Sequence, residues 1–460
     1  MAQENILGTQ KIGKLLLKFG LPGIISFVVN SIYNIVDQIF IGQSVGFLGN
    51  ASTSVIFPIT TAVVALGLLL GDGAAANMSL NLGMGKKHEA SQAAAFGLIS
   101  TLIAGAALCA VCLIFIEPLC WLFGGTPDNI QYCLDYGTII SIGIPFLTIC
   151  VAYGSILRAD GKPGVAMGGL LMGCGINLVL DPVFIFVCGW GVKGAALATI
   201  LGMIANAILI ICFCFARPKF IELNREIFRT CTQAMKSVLR LGIASCFLQL
   251  AIVVAIVVQN KVIVRTGVDS IYGPDIPLAA MGITSKVFSI VLAVINGLSS
   301  GAQPIYGYNY GARNYDRVKK TFKYILIVNE IVLVAAFLCF QLIPDKIVSI
   351  FGSQDALNTE YTIMCMKIFL AGLPFSGLQA ASGTFFLSLG YPVQSIITSL
   401  SRQILFMIPT LLILTSIMGL IGNLYMGPVA DVLAFVLCLI LILVYWKKIF
   451  PESKPQSGSV

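Results

Sequence analysis

Charge is what this chain of 460 residues is short of: Asp, Glu, Lys and Arg together make up 10% of it, against 58% hydrophobic residues. Soluble domains carry about 25% charged residues. A water-soluble globular protein is therefore excluded, and an integral membrane protein is expected. Histidine is nearly missing too. The single one, His88, lies in the charged stretch KKHE and is expected to be solvated rather than to ligate a metal. No GxxxxGK[ST] run occurs, since Gly161-Lys162 is followed by Pro163, so the chain is expected to carry no ATPase of its own. The GDGAAA beginning at Gly71 has no strand before it, and its glycines are expected to permit close helix packing. Alternating ten-residue strand patterns are absent, which leaves helices as the spanning elements. After the polar MAQENILGTQ there is no short apolar region with a small-residue cleavage site, so no cleaved signal peptide is expected.

What is present is apolar sequence in long runs. Twelve such segments can be marked, from about 13–41 to about 420–448, each at or above the roughly 20 residues that a helical span needs. The fourteen cysteines are scattered through them and act as small hydrophobes. Cys109 and Cys112 form a CxxC inside one such segment, with no further ligands, so neither metal nor redox chemistry and no cofactor is expected. Basic residues cluster on one side of the pattern, for example at Lys86, Lys87, Arg158, Arg217, Lys319, Lys320 and Lys454, whereas the other side holds mainly Lys193, Arg265 and Lys346. By the positive-inside rule both termini are cytoplasmic, in a multi-pass plasma-membrane protein of bacterial type. The net charge of +8 is then a topology signal, not a nucleic-acid surface.

The chain also repeats itself. KFGLPGIIS at Lys18 resembles RLGIASCFL at Arg240, and LGMGKKHEA at Leu82 resembles YNYGARNYD at Tyr308. LFGGTPDNI at Leu122 is matched by IFGSQDALN at Ile350, IGIPF at Ile142 by LAGLPF at Leu370, and ILRADGKP by the FLSLGYP that ends at Pro392. Five matches in one order imply two halves. Six spans each make the repeat parallel, about a pseudo-two-fold along the membrane normal. The expected division is a first lobe over 1–216, a basic cytoplasmic linker over 217–234, and a second lobe with a short tail over 235–460.

One span contains an acid. In SFVVNSIYNIVDQIFIG, from Ser26 to Gly42, the residues Ser26, Asn30, Tyr33, Asn34 and Asp37 fall on one helical stripe. An ionised carboxylate at the bilayer centre costs about 2.5–3.5 kcal/mol on insertion scales, so Asp37 requires a partner, a proton or a cation and marks a candidate functional site. Asn177 and Asp181, four residues apart, share a face of the fifth span. Asp72 and Glu330 are further intramembrane acids. The second half places Gln259 where the first has Asp37, and it carries Lys261, Lys286, Lys367 and Arg402 within or at the edges of spans, expected to pair with acids, to snorkel, or to bind an anionic group.

The two parallel halves, GMGKKHEA repeated as YGARNYD, RADGKP after the fourth span and NLVLDP in the fifth resemble the multidrug and toxic compound extrusion (MATE) family over essentially the whole chain. That resemblance implies an all-α membrane protein of twelve helices in two six-helix lobes, V-shaped around a central cavity. It implies a secondary antiporter that exports organic, often cationic, compounds in exchange for protons or sodium, without an enzymatic activity. Its cation site maps onto Asp37, Asn177, Asp181 and Thr199, with Pro22, fifteen residues before Asp37, as the helix hinge. The expected partners are the lipid bilayer and a small organic substrate in a cavity drawing on Asn30, Tyr33, Asn34, Gln259, Lys286 and Arg402, with the protein working as a monomer. The alternative is a lipid-linked oligosaccharide flippase, which would need a basic cavity for a pyrophosphate. A membrane sensor or scaffold would need a soluble signalling segment, which the sequence does not show.

Overall fold

The structure is a computed structural model that describes residues 6–451 apart from 46, 217, 269, 274 and 350–355. Arg217 at the head of the expected linker, Lys454 in the tail and the Ile350–Asp355 part of one repeat match lie outside the described residues. The rest is helical, with no strand among the described residues. The spans are α1 (Ile12–Val45), α2 (Phe47–Gly83), α3 (Lys87–Ile114), α4 (Ile130–Ala159), α5 (Pro163–Pro182), α6 (Gly191–Ala216), α7 (Met235–Gly267), α8 (Asp275–Gly311), α9 (Tyr315–Leu342), α10 (Ala356–Phe369 with Leu373–Ser388), α11 (Pro392–Met418) and α12 (Leu420–Ile449). Eleven are long and apolar enough to cross a membrane alone, and α10 makes the twelfth as one span bent by 57°. Side chains such as Ile103, Val179, Ile331 and Leu443 stand exposed on the outer surface, as lipid-facing positions require. At about 1.5 Å per residue, the 34 residues of α1 exceed a hydrocarbon core of about 30 Å, so this helix tilts or projects beyond it.

The repeat is written in the backbone. Gly85 ends α2 with φ 76°, and Arg313 ends α8 with φ 59°. Gly161 after α4 has φ 79°, and Gly390 after α10 has φ 84°. In each case the following N–H reaches five residues back, as in Lys86 to Asn81 and Asn314 to Asn309, which closes the helix with a left-handed cap. Glycine takes that conformation freely, and Arg313 takes it at a cost of about 1–2 kcal/mol. Proline separates the halves at one point. Pro145 lies inside the unbroken α4, whereas Pro374, its counterpart, follows the Leu370–Gly372 turn at which α10 bends. Gly372 packs directly against Asp431 of α12 at that bend.

RADGKP fastens the linker. The Asp160 carboxylate accepts the backbone N–H groups of Lys219 (2.9 Å) and Phe220 (2.8 Å) and pairs with Lys162 at 2.7 Å. Lys87 pairs with Glu222 at 2.6 Å, and the Ser91 hydroxyl accepts the Glu222 N–H at 2.9 Å. Here the lysine beside the exposed Glu222 holds its carboxyl below the usual range.

Glycines set the seam between the repeats. Gly20 and Gly23 of α1 meet Leu298, Gly297 and Gly301 of α8, Gly73 of α2 meets Val238 and Gly242 of α7, and Gly83 and Gly311 bring the ends of α2 and α8 together. Small residues let backbones approach, which is the main source of helix–helix attraction in lipid. All these approaches fall in the halves of the spans nearer the chain termini. Asp72 adds polar closure there: its Oδ1 accepts from Ser155 (2.8 Å), its Oδ2 from Ser245 of the second repeat (2.9 Å), and its carbonyl from Gln303 (3.3 Å). A Cβ on Gly242 would run into the Leu69 carbonyl, whereas one on Gly168 meets nothing within 4 Å. Gly242→Ala should therefore destabilise the detergent-purified protein by about 1–3 kcal/mol, while Gly168→Ala leaves its melting temperature unchanged or raised, as read by thermal unfolding.

Candidate cation and substrate site

The first repeat brings Asp37, Asn177, Asp181 and Thr199 together. All four are buried, at 9, 2, 1 and 7% exposure. Asn177 and Asp181 stack one turn apart on α5, and the Asn177 amide donates both to Asp181 Oδ1 (3.3 Å) and to Thr199 Oγ1 on α6 (3.1 Å). The Asp37 carboxyl of α1 faces that of Asp181, and Tyr33 and Thr199 both stand on the adjoining cavity wall. Beyond Pro182 the chain does not stop but widens into a π turn, Val183–Val187, so Asp181 sits inside the lobe rather than at a hydrated end.

Two carboxylates that close, out of water, cannot both persist as bare anions; a proton or a cation must lie between them. Asp37 Oδ1, Asn177 Oδ1 and Asp181 Oδ2 are buried without a hydrogen-bond partner. Three unpartnered oxygens from two helices form a donor set suited to a hard cation such as sodium, and the same oxygens can hold a proton. Among the described residues no group of three or more His, Cys, Asp or Glu comes together.

Directly beneath lies a cavity of about 300 Å³ between α1, α2, α4, α5 and α6. Ser26, Asn30, Tyr33, Asn177 and Thr199 stand on its wall with apolar residues such as Phe27, Leu68 and Met203. Such a wall, mostly apolar with a few convergent polar groups, is typical of small-molecule sites. Asn34 is off the wall, exposed, and turned back to donate to the Asn30 carbonyl at 2.7 Å. Pro22 lies within the continuous α1, where the Ser26 hydroxyl donates to its carbonyl at 2.7 Å. Gln259, Lys286 and Arg402 belong to the second repeat and do not line this cavity. Gln259 is buried with Nε2 unpartnered, and Lys286 is exposed.

Arg402 is engaged elsewhere: its Nε donates to Asp431 Oδ1 at 2.5 Å, and its guanidinium lies 5.7 Å from the Phe288 ring. Glu330 packs against Gly377 of α10, and Asp72 belongs to the seam. Sequence reasoning used Arg158 only as a topology marker, yet it lines the cavity. The signal was available: Leu147, Val151, Gly154 and Arg158 recur at helical spacing, and all four are on the wall.

Such features define a polytopic helical membrane protein of two repeats, with a buried acid pair beside a cavity in the first. The MatE family model matches the chain twice, over residues 22–183 and again over 250–413. The multidrug export protein MepA of Staphylococcus haemolyticus is 24% identical over 94% of this chain and 93% of its own length. The crystal structure of a MATE protein in complex with MaL6 superposes with a TM-score of 0.91 at 21% identity, covering 98% of this chain and 99% of the other. The outward-facing conformation of a multidrug resistance MATE family transporter gives 0.90 at 22% identity, covering 98% of each. The chain belongs to the MatE family.

The Arg402–Asp431 pair is buried at 11 and 1% side-chain exposure, with Asp431 Oδ2 unpartnered. Arg402→Met would strand the carboxylate and should cost about 3–5 kcal/mol. Combined with Asp431→Leu, the loss should largely vanish in thermal unfolding, because the desolvation penalty goes with both charges.

Proposed function

We propose that the protein is a secondary active antiporter that exports organic, often cationic, compounds in exchange for protons or sodium ions by alternating access. The observation that carries this reading is the buried Asp37–Asp181 pair, which with Asn177 presents three unpartnered oxygens beside a ligand-sized cavity in the same lobe. An ion bound between the carboxyls neutralises them and removes their attraction for an organic cation nearby. Substrate and ion therefore exclude one another, and exchange follows when each favours a different state of the lobe. A potential of 100 mV supplies about 2.3 kcal/mol per unit charge moved, or roughly a fiftyfold gradient. The name of the staphylococcal relative, a multidrug export protein, supports export of foreign organic compounds.

In this reading residues 1–216 form the coupling lobe, 217–234 the cytoplasmic linker and 235–460 the second lobe. Both termini lie in the cytoplasm, Pro22 is the hinge of α1, and one copy suffices. The glycine seam on the side of the termini then closes the inner face, so that substrate leaves on the other side. For the flippase alternative, Arg402 is held by Asp431 and Lys286 lies away from the cavity, which leaves that reading without the two basic residues expected to carry it.

The test is efflux of rhodamine 123 from proteoliposomes under a proton or a sodium gradient imposed separately. Wild-type protein should export the dye with one of them, and Asp37→Asn should lower the gradient-dependent rate at least tenfold. Undiminished efflux from the variant would sink the mechanism. If sodium is the coupling ion, its thermal stabilisation of wild type should shrink as pH falls, because a proton on the pair removes a charged ligand.

A further inference from the structure

Acids sit behind the outer end of the cavity, but the only charged residue on the wall itself is Arg158, at the opposite end. Asn177 and Ala166 mark the two levels on α5, as Thr199 and Ile210 do on α6; eleven residues of helix separate each pair, roughly 16 Å. Arg158 stands one residue before the end of α4, and helical side chains lean toward the N-terminus of their helix, which here is the direction of the cavity's interior. Its Nη1 lies beside Gly154, another wall residue, where a larger side chain would cover it.

The guanidinium is under-used. It donates through Nη2 to Ser155 Oγ at 2.8 Å, and no ion pair within 4 Å joins it to a carboxylate among the described residues. Asp72 accepts the Ser155 and Ser245 hydroxyls, one on each oxygen, and meets Arg158 through the shared Ser155 hydroxyl, which leaves most of the fork of donors open. Across the cavity Asn206 of α6 is buried at 8% exposure and lines the wall, its amide oxygen packed against Gly169 of α5.

We infer that this inner end receives an anionic group of the substrate, a carboxylate held by Arg158. The transported class is then organic zwitterions: an amine or other cationic centre toward Asp37 and Asp181, and a carboxylate toward Arg158. Planar guanidinium matches carboxylate with two parallel N–H bonds, which a lysine at this place would not reproduce. An organic cation lacking the carboxylate leaves those donors facing only water and binds more weakly. This inference rests on the transport reading above and refines its substrate.

Rhodamine 110, with a free carboxylate, and rhodamine 123, its methyl ester, form a matched pair. Their affinities for the full-length purified protein can be read by fluorescence anisotropy, and their efflux from proteoliposomes. Wild type should bind rhodamine 110 at least fivefold more tightly than the ester. Arg158→Gln should weaken rhodamine 110 at least tenfold while moving rhodamine 123 by less than twofold, and Arg158→Lys should fall between. Equal weakening of both dyes in Arg158→Gln and Arg158→Lys, or a wild-type preference for the ester, would overturn the assignment. Should Arg158→Gln fail to fold, the wild-type order of the two dyes decides alone. Loss of efflux for both dyes with the binding order kept would refute transport and leave the Arg158 site standing.

Discussion

The structure depends on one unfavourable arrangement, two carboxyl groups facing each other inside a lobe that sits in lipid. Asp37 and Asp181 come from different helices, and both are buried. Burial of a lone carboxylate costs several kcal/mol, and a second anion beside it adds repulsion. The fold stabilises the pair only in part, through the Asn177 amide, which donates to Asp181 and to Thr199. What remains is an unmet demand for one positive charge. A proton, a metal cation or an organic cation can each meet it, and that competition is the physical core of the proposed exchange.

The remainder of the molecule makes the demand useful. Glycines along α1, α2, α7 and α8 bring the repeats into backbone contact on the side of the termini, while the acid pair lies in the opposite half of α1. Packing through small residues is tight but has no deep interdigitation, so it can part as a unit. Asp72 joins the two repeats at the same level with hydrogen bonds whose partners are all neutral hydroxyls and an amide, which separate at less cost than an ion pair would. The second lobe contains its own buried charge, but there Arg402 already meets the demand of Asp431. The proposed coupling is therefore asymmetric between two halves that share a backbone plan.

Much of this was legible in the residues. Long apolar runs announced the spans, the paired turn motifs announced the repeat, and the left-handed caps at Gly85, Arg313, Gly161 and Gly390 show why those motifs recur. Asn177 and Asp181 could be placed on one face by their spacing alone, since helical periodicity fixes neighbours four apart. What periodicity does not fix is which helices meet. That Asp431 lies against Arg402 and the bend in α10, and that Arg158 reaches into the cavity rather than to the surface, depends on packing between segments distant in sequence. Basic residues near span ends carry the same sequence signature whether they snorkel or line a site.

The most direct measurement of the central claim is proton release from purified protein in weakly buffered detergent solution, read with a pH indicator as sodium or rhodamine 123 is added. If the Asp37–Asp181 pair is a shared site, at least one of the two additions releases protons from wild type, and Asp37→Asn abolishes the release. No release from wild type with either addition, or an undiminished release from the variant, would contradict the account.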